Sequence, residues 1–529
     1  MLRRGLHWWQ RLGRLQQLGL LAGLVLTVVR LSLIGKGTMA FVDEQRYVTA
    51  MLGLRALSEG HVREFLQAIN SMGARPGDGL WRVIPGLGQA ALLVLFKLNP
   101  NAPPSLQVPQ VFNVLIMSLD MLLLYRIYRR FFPVSFALLG VALYSSLVNT
   151  NLYLRHILPY DHSLFFFLLA LWLLLSPAKK RPIKRYWWVG LISGMSYAVY
   201  PGYFMGPAVL LALTVWMAIP PRIKSGHTNK PVSFRPLAAQ LTGLVAVLVL
   251  FEALAQLSDT SYLASSRYIA TTVTQGSFEE GFSFICHYFW EVEGWLGVGL
   301  LGLFVAGLLL SIRQLQAATA QYIPESEYAL DVSALLSIGF MAWLGYAVAV
   351  QFAHKLVFYG RILHFFVPLI ILGGIFALHS AASHWQQSKT FLLISGWALA
   401  LWHFGAFDSA YRFVNYPSDV VYDFGIQDAR QIAGIDITGC DKGVVYYRLF
   451  GPRIRDKGTF DAPKYQLVNF AYLYPISCYQ APPANAGSVV ASVPYFMKYT
   501  PYQFEGHSPA QRVLFQKHDI NFRIVSAKL

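Results

Sequence analysis

The chain has 529 residues, 55% of them hydrophobic, 15% aromatic and only 13% charged, with a formal net charge of +17. Soluble domains carry roughly 25% charged residues, and a disordered chain is charge-rich and aromatic-poor, so both classes are excluded. Three cysteines exclude a disulfide-dense secreted scaffold.

A bilayer core about 30 Å thick takes roughly 20 apolar residues per helix. In chain order, runs near that length lie at 16–35, 106–125, 133–152, 162–176, 186–200, 203–219, 236–257, 295–312, 332–353, 364–379 and 390–407. The predicted fold is a polytopic α-helical membrane protein of about eleven spans. The first run is too long for a signal peptide and lacks a small-residue cleavage site, so it reads as a retained span.

Basic residues flank spans on the cytoplasmic side. Arg3, Arg4, Arg11 and Arg14 precede the first span, and every second connection repeats the signature, most densely at Lys179, Lys180, Arg181, Lys184 and Arg185. These connections carry a net +15, and everything else carries +2. The charge therefore describes orientation: N-terminus cytoplasmic and, after eleven spans, C-terminus outside. A nucleic-acid partner would need one contiguous basic face, whereas here the charges are divided among six connections.

The opposite connections hold the chemistry. The first outer loop, about 36–105, contains Asp43-Glu44-Gln45-Arg46-Tyr47. Tyr47, Met51, Leu54 and Leu57 share one helical face, as do Val62, Phe65, Leu66, Ile69 and Met72. Both segments read as amphipathic helices lying in the interface. The second outer loop is brief, Arg155-His156-Ile157-Leu158-Pro159-Tyr160-Asp161, and the last contains His354, Lys355, Tyr359 and Arg361. Aromatics from Phe278 to Trp290 read as an interfacial belt. Asp120 lies within a span and is expected to pair structurally with nearby Arg126.

After residue 407 charged residues rise from 11% to 19%. Residues 408–529 are predicted to form a small extracytoplasmic α/β domain following a transmembrane domain at 1–407. Outside the cell Cys440 and Cys478 can pair as a disulfide; the alternative is two buried thiols.

A carboxylate held at the bilayer surface can accept a proton from an attacking hydroxyl. Arginine at the same face can bind phosphate bidentately. Arg30 late in the first span, Asp43-Glu44-x-x-Tyr47, Asp161, and Tyr359-Gly360-Arg361 before Pro368 together resemble the GT-C membrane glycosyltransferases. That class includes protein O-mannosyltransferases and the aminoarabinose transferase of lipid A. The resemblance implies inverting transfer of a sugar from a polyprenyl phosphate to a glycan, lipid or protein acceptor. Asp43 would be the general base, Glu44 its support and Asp161 the second acid. Arg361, Lys355 and Arg30 would bind the donor phosphate, and Tyr47, Arg155, His156 and Tyr359 would line the acceptor side. Some members use a divalent metal; no His/Asp ligand set with diagnostic spacing stands out, so the metal is left open.

Several of these positions also have structural readings. Asp43 can N-cap a helix beginning at Glu44, Asp161 can cap the span it precedes, and the cations can snorkel to lipid headgroups. A bacterial plasma membrane is the expected location, with the endoplasmic reticulum as the alternative. A lipid or glycan flippase is the alternative function; it would place ionisable groups near the bilayer midplane between internal repeats.

Overall fold

The computed structural model describes residues 13–34, 41–71, 83, 91–92, 94–96, 107–176, 182–218, 233–268, 280–320, 327–385, 389–412, 414, 424, 432–436, 465–468, 488–494, 499–505, 507–517 and 521–526. Helix α1 (Arg14–Ser32) is followed by α2 (Val42–Ser58) and α3 (Val62–Ser71). Then come α4 (Gln107–Phe131), α5 (Val134–Ser146), the short α6 (Val148–Leu152) and a 3-10 turn at Tyr153–Arg155. Next are α7 (Tyr160–Leu175), α8 (Ile183–Val199), a second 3-10 turn at Pro201–Tyr203, α9 (Met205–Ala218), α10 (Arg235–Gln256) and α11 (Tyr262–Tyr268). The helical part ends with α12 (Ser283–Glu291), α13 (Gly294–Ala320), α14 (Glu327–Gln351), α15 (Gly360–His384) and α16 (Lys389–Arg412).

A helix occupies each apolar run, but length and apolarity qualify seven as membrane-crossing, or eight counting the broken pair α5 and α6, among the described residues. Two further apolar helices, Gln17–Ser32 and Tyr160–Leu175, are shorter. The chain is an integral membrane protein. Helix α15 is central: 89% of its apolar window is buried, against 22% for α10 and α16, which lie at the periphery. With no hydrophobic drive between helices in lipid, close approach depends on small residues. Gly190 in α8 and Gly243 in α10 show this reciprocally, since a Cβ on Gly190 would overlap the Gln240 carbonyl and one on Gly243 the Trp187 carbonyl.

The break between α5 and α6 organises the bundle. The two helices meet at Leu147, bent by 58°, and backbone freed inside a membrane must find partners within the protein. Polar side chains supply them. Thr150 Oγ1 donates to the carbonyls of Tyr144 and Leu147, and Asn151 Nδ2 to those of Ser145 and Leu147. From α4, Asn113 Nδ2 donates to the His156 carbonyl at 2.6 Å and Gln110 Nε2 to that of Arg155 at 2.8 Å. A stretch of irregular, polar backbone is thereby buried at one end of the bundle.

Beyond α16 the described strands form a four-stranded sheet. They are β1 (Ile432–Asp436), β2 (Tyr465–Val468), β3 (Val489–Pro494) and β4 (Asn521–Ser526), in the order β1-β2-β4-β3. β1 and β2 run parallel; β4 is antiparallel to both β2 and β3. Between β3 and β4 lie the one-turn helix α17 (Thr500–Gln503) and α18 (Pro509–Lys517). Cys440 and Cys478 lie outside the described residues; the described Cys286 is free and exposed.

Candidate active site

Helix α2 begins at Val42, with Phe41 as its N-cap, so Asp43 is inside the first turn and does not cap a helix starting at Glu44. The capping function falls to Glu44. Its Oε2 accepts the Phe41 amide at 2.8 Å, the carboxylate half of a capping box. Its Oε1 accepts the Ile157 amide at 2.9 Å, and His156 Nδ1 lies 3.4 Å away. Glu44 is fully buried and ties the start of α2 to the second loop. The Asp43 side chain lies outside the described residues; its backbone is fixed in the turn that Glu44 holds. Tyr47, Met51 and Leu54 are buried on the face expected from their spacing, whereas Leu57 is exposed.

Asp161 stands in the first turn of α7, buried, with Oδ1 3.1 Å from His364 Nε2. The other imidazole nitrogen, Nδ1, is 2.9 Å from Asn149 Oδ1. Asn149 Nδ2 donates to the Gly360 carbonyl and to Tyr288 Oη, each at 3.0 Å. A carbonyl can only accept, so the amide orientation is determined and Asn149 Oδ1 must receive the Nδ1 proton. His364 Nε2 and Asp161 then share one proton, either as imidazolium and carboxylate or as imidazole and carboxylic acid.

The cations divide into two groups. Arg30 is buried in α1, its Nε on Asn151 Oδ1 at 2.8 Å and its Nη2 on the Ser145 carbonyl and hydroxyl at 2.6 and 2.7 Å. Arg155 is buried too, donating to the Leu33 carbonyl at 2.9 Å and the Tyr411 carbonyl at 3.1 Å. Together they join the ends of α1 and α16 to the α5–α6 break, and both line a small pocket with Val114 and Leu154.

Arg361 is held between Tyr160 and the tail. Its Nη1 donates to Tyr160 Oη at 2.9 Å and its guanidinium lies 4.6 Å over the Tyr359 ring. Its Nε donates to Glu505 Oε2 at 2.9 Å and its Nη2 to the Glu505 carbonyl at 2.8 Å. Lys355, by contrast, is exposed and has no side-chain ion pair or hydrogen bond among the described residues.

Several members of this cluster had no local signature. Asn149, Glu293, Tyr288 and Glu505 converge from α6, the α12–α13 turn, α12 and the tail. The one available hint was Asn149-Thr150-Asn151, a polar triplet inside an apolar run. The aromatics expected as an interfacial belt are largely core: Phe284, Tyr288 and Phe289 are buried, and the first two pack edge-on against Phe504, whereas Trp290 is exposed. Asp120 does not pair with Arg126. It is buried with neither carboxyl oxygen partnered among the described residues, while Arg126 is exposed. Among the described residues no group of three His, Cys, Asp or Glu is arranged to hold a metal.

Residues 105–255 match the family model of dolichyl-phosphate-mannose-protein mannosyltransferase. The match covers under a third of the chain and is a similarity of this segment to that family. The segment contains Asn113, Asn149, Arg155, His156 and Asp161, so the buried turn and half of the cluster fall within it; Glu44, Arg361 and Glu505 lie outside. Among solved structures, an oligosaccharyltransferase from Archaeoglobus fulgidus, in complex with zinc and sulfate, is similar at a TM-score of 0.46 and 12% identity. The similarity covers 83% of this chain and spans 58% of the length of that one. No curated protein matches the chain.

Proposed function

We propose that the protein transfers a sugar from a polyprenyl phosphate, such as a dolichyl-phosphate-mannose-like donor, to an acceptor at the extracytoplasmic membrane face, with inversion. The observation that carries this reading is the convergence at one end of the bundle of an acidic first loop, an Asp–His pair and a tyrosine-flanked arginine, half of it within the matched segment. The acceptor oxygen attacks the anomeric carbon as the bond from that carbon to the phosphate oxygen breaks. The acceptor proton passes to the Asp43 carboxylate, and the lipid phosphate departs with its negative charge.

The positions of the remaining groups support a role for each. Glu44 fixes the helix start that carries Asp43. Asp161 and His364 form a buried acidic pair able to hold or release a proton near the transferring centre. Arg361 binds the leaving phosphate, and Lys355, exposed and six residues earlier in the chain, adds long-range attraction. Stabilising charge that builds on a leaving group is typically the largest single contribution to such catalysis.

The test is transfer from a panel of polyprenyl-phosphate sugars by purified wild type and Asp43→Asn. Loss of about a hundredfold or more in kcat with the Asn variant is expected for a general base. Full turnover by that variant removes the base assignment. Failure of every donor with wild type overturns the glycosyl-transfer reading.

A further inference from the structure

The arginine assigned to the donor phosphate is already occupied. Glu505, on the segment Tyr499–Glu505 between β3 and α18, takes two of the Arg361 donors, one on its carboxylate and one on its carbonyl. The other carboxylate oxygen accepts Tyr153 Oη at 2.5 Å. Glu505 is 1% exposed. A carboxylate is thus seated where a guanidinium fork and a phenol converge, donors equally suited to phosphate oxygens.

The seat is shaped for close approach. A Cβ on Gly360 would overlap Glu505 Oε1, and the Gly360 amide donates to the Phe504 carbonyl at 3.1 Å. Beyond these contacts the tail is held by Tyr502 Oη on His156 Nε2 at 2.7 Å. A second hold is a two-pronged ion pair between Arg512 and Glu280 at 2.8 and 2.9 Å, with His287 Nδ1 2.6 Å from the same carboxylate.

We propose that Glu505 is an internal occupant of the lipid-phosphate site, and that the Tyr499–Glu505 segment leaves Arg361 when a lipid phosphate binds. The inference rests on the reading above that Arg361 receives that phosphate. Glu505 takes the Nε–Nη2 edge of Arg361 and Tyr160 takes Nη1, so a phosphate that uses this edge must displace the tail, which then reports and limits donor entry. Glu505 is a competitor of the phosphate here and takes no part in bond breaking.

The test uses the full-length protein in nanodiscs, with polyprenyl monophosphate, the matching polyprenol and inorganic phosphate as separate probes. Hydrogen exchange is followed in peptides covering Tyr499–Arg512 and the Gly360 amide. Polyprenyl monophosphate is expected to speed exchange at both about tenfold, with polyprenol inert; an equal response to inorganic phosphate assigns the site to a free anion and overturns the lipid part. Glu505→Gln, which keeps the shape and removes the charge, is expected to bind polyprenyl monophosphate about tenfold more tightly, the scale of one charge-assisted hydrogen bond.

Binding that leaves exchange unchanged or slower overturns the latch while leaving the transfer reading intact. Weaker or unaltered binding by Glu505→Gln, with native-like exchange elsewhere, also overturns it. If neither protein binds the lipid phosphate and no donor is turned over, both readings fall together.

Discussion

The carboxylate of Glu293 caps a helix to which it does not belong, accepting the Val148 amide at 2.9 Å and the Asn149 amide at 2.8 Å, with His403 Nε2 a further 2.8 Å away. These are the orphan donors at the start of α6, and a negative charge at a helix N-terminus is favourable. Because Asn149 carries the hydrogen bond that orients His364, the cap and the candidate acid pair are mechanically linked. Glu293→Gln replaces one acceptor oxygen with a donor facing a donor. It is expected to cost about 3–5 kcal/mol, as for other broken buried charge networks. A fall in thermal stability in detergent, accompanied by loss of transfer, is the outcome to look for.

His364→Gln tests the shared proton. Glutamine can still reach Asn149 or Asp161 but holds no titratable proton. A drop of about a hundredfold in kcat is expected, with little change in donor KM, on the scale of a general acid–base group. An unchanged kcat would assign His364 to packing.

Gly360→Ala places a methyl group against the Glu505 carboxylate and the Tyr288 ring. Overpacking of this kind costs about 1–3 kcal/mol. Here the strain falls on the contact between α15 and the tail. The expected result is faster hydrogen exchange across Tyr499–Glu505 with the rest of the bundle unaffected.

The tail also carries a pH signature. Burial holds His507 down to about 4 from an ordinary 6.5, with Arg512 pushing the same way and a backbone hydrogen bond at Gln503 opposing. A depressed histidine stabilises the folded tail fully above its ordinary value and loses that contribution as pH falls from 6.5 toward 4. The loss amounts to about 2 kcal/mol by pH 5. Glu505 acts in the opposite sense: burial raises its carboxyl, Arg361 partly offsetting, so its contribution is lost as pH rises. His507→Gln should therefore weaken less on acidification from pH 7 to 5 than wild type, read as exchange protection in Tyr499–Arg512.

Spans and loops could be read from local pattern because a bilayer imposes a length and an apolarity on every crossing helix. Asp161 and Arg361 were legible for a related reason: ionisable groups at span ends are costly and stand out. The expected Asp120–Arg126 pair failed on helix geometry. Side chains three or four apart face one another, and these are six apart, about 120° from each other around α4. Glu252 shows the complementary case, a charge near a span end that caps the next helix through the Leu263 amide at 2.9 Å. Glu505 was illegible because nothing in Gln503-Phe504-Glu505 announces a partner 144 residues earlier in the chain.

The 58° break at Leu147 has a consequence for biogenesis. Val148 reaches the membrane 145 residues before Glu293, the group that satisfies its amide. At synthesis rates of about 5–20 residues per second that gap is roughly 7–30 s. During that interval the α5–α6 break holds uncapped amides beside lipid or inside the insertion machinery. Assembly of this end of the bundle therefore waits for the C-terminal half of the chain, and a nascent chain stalled before α13 should remain accessible to insertion factors until Glu293 emerges.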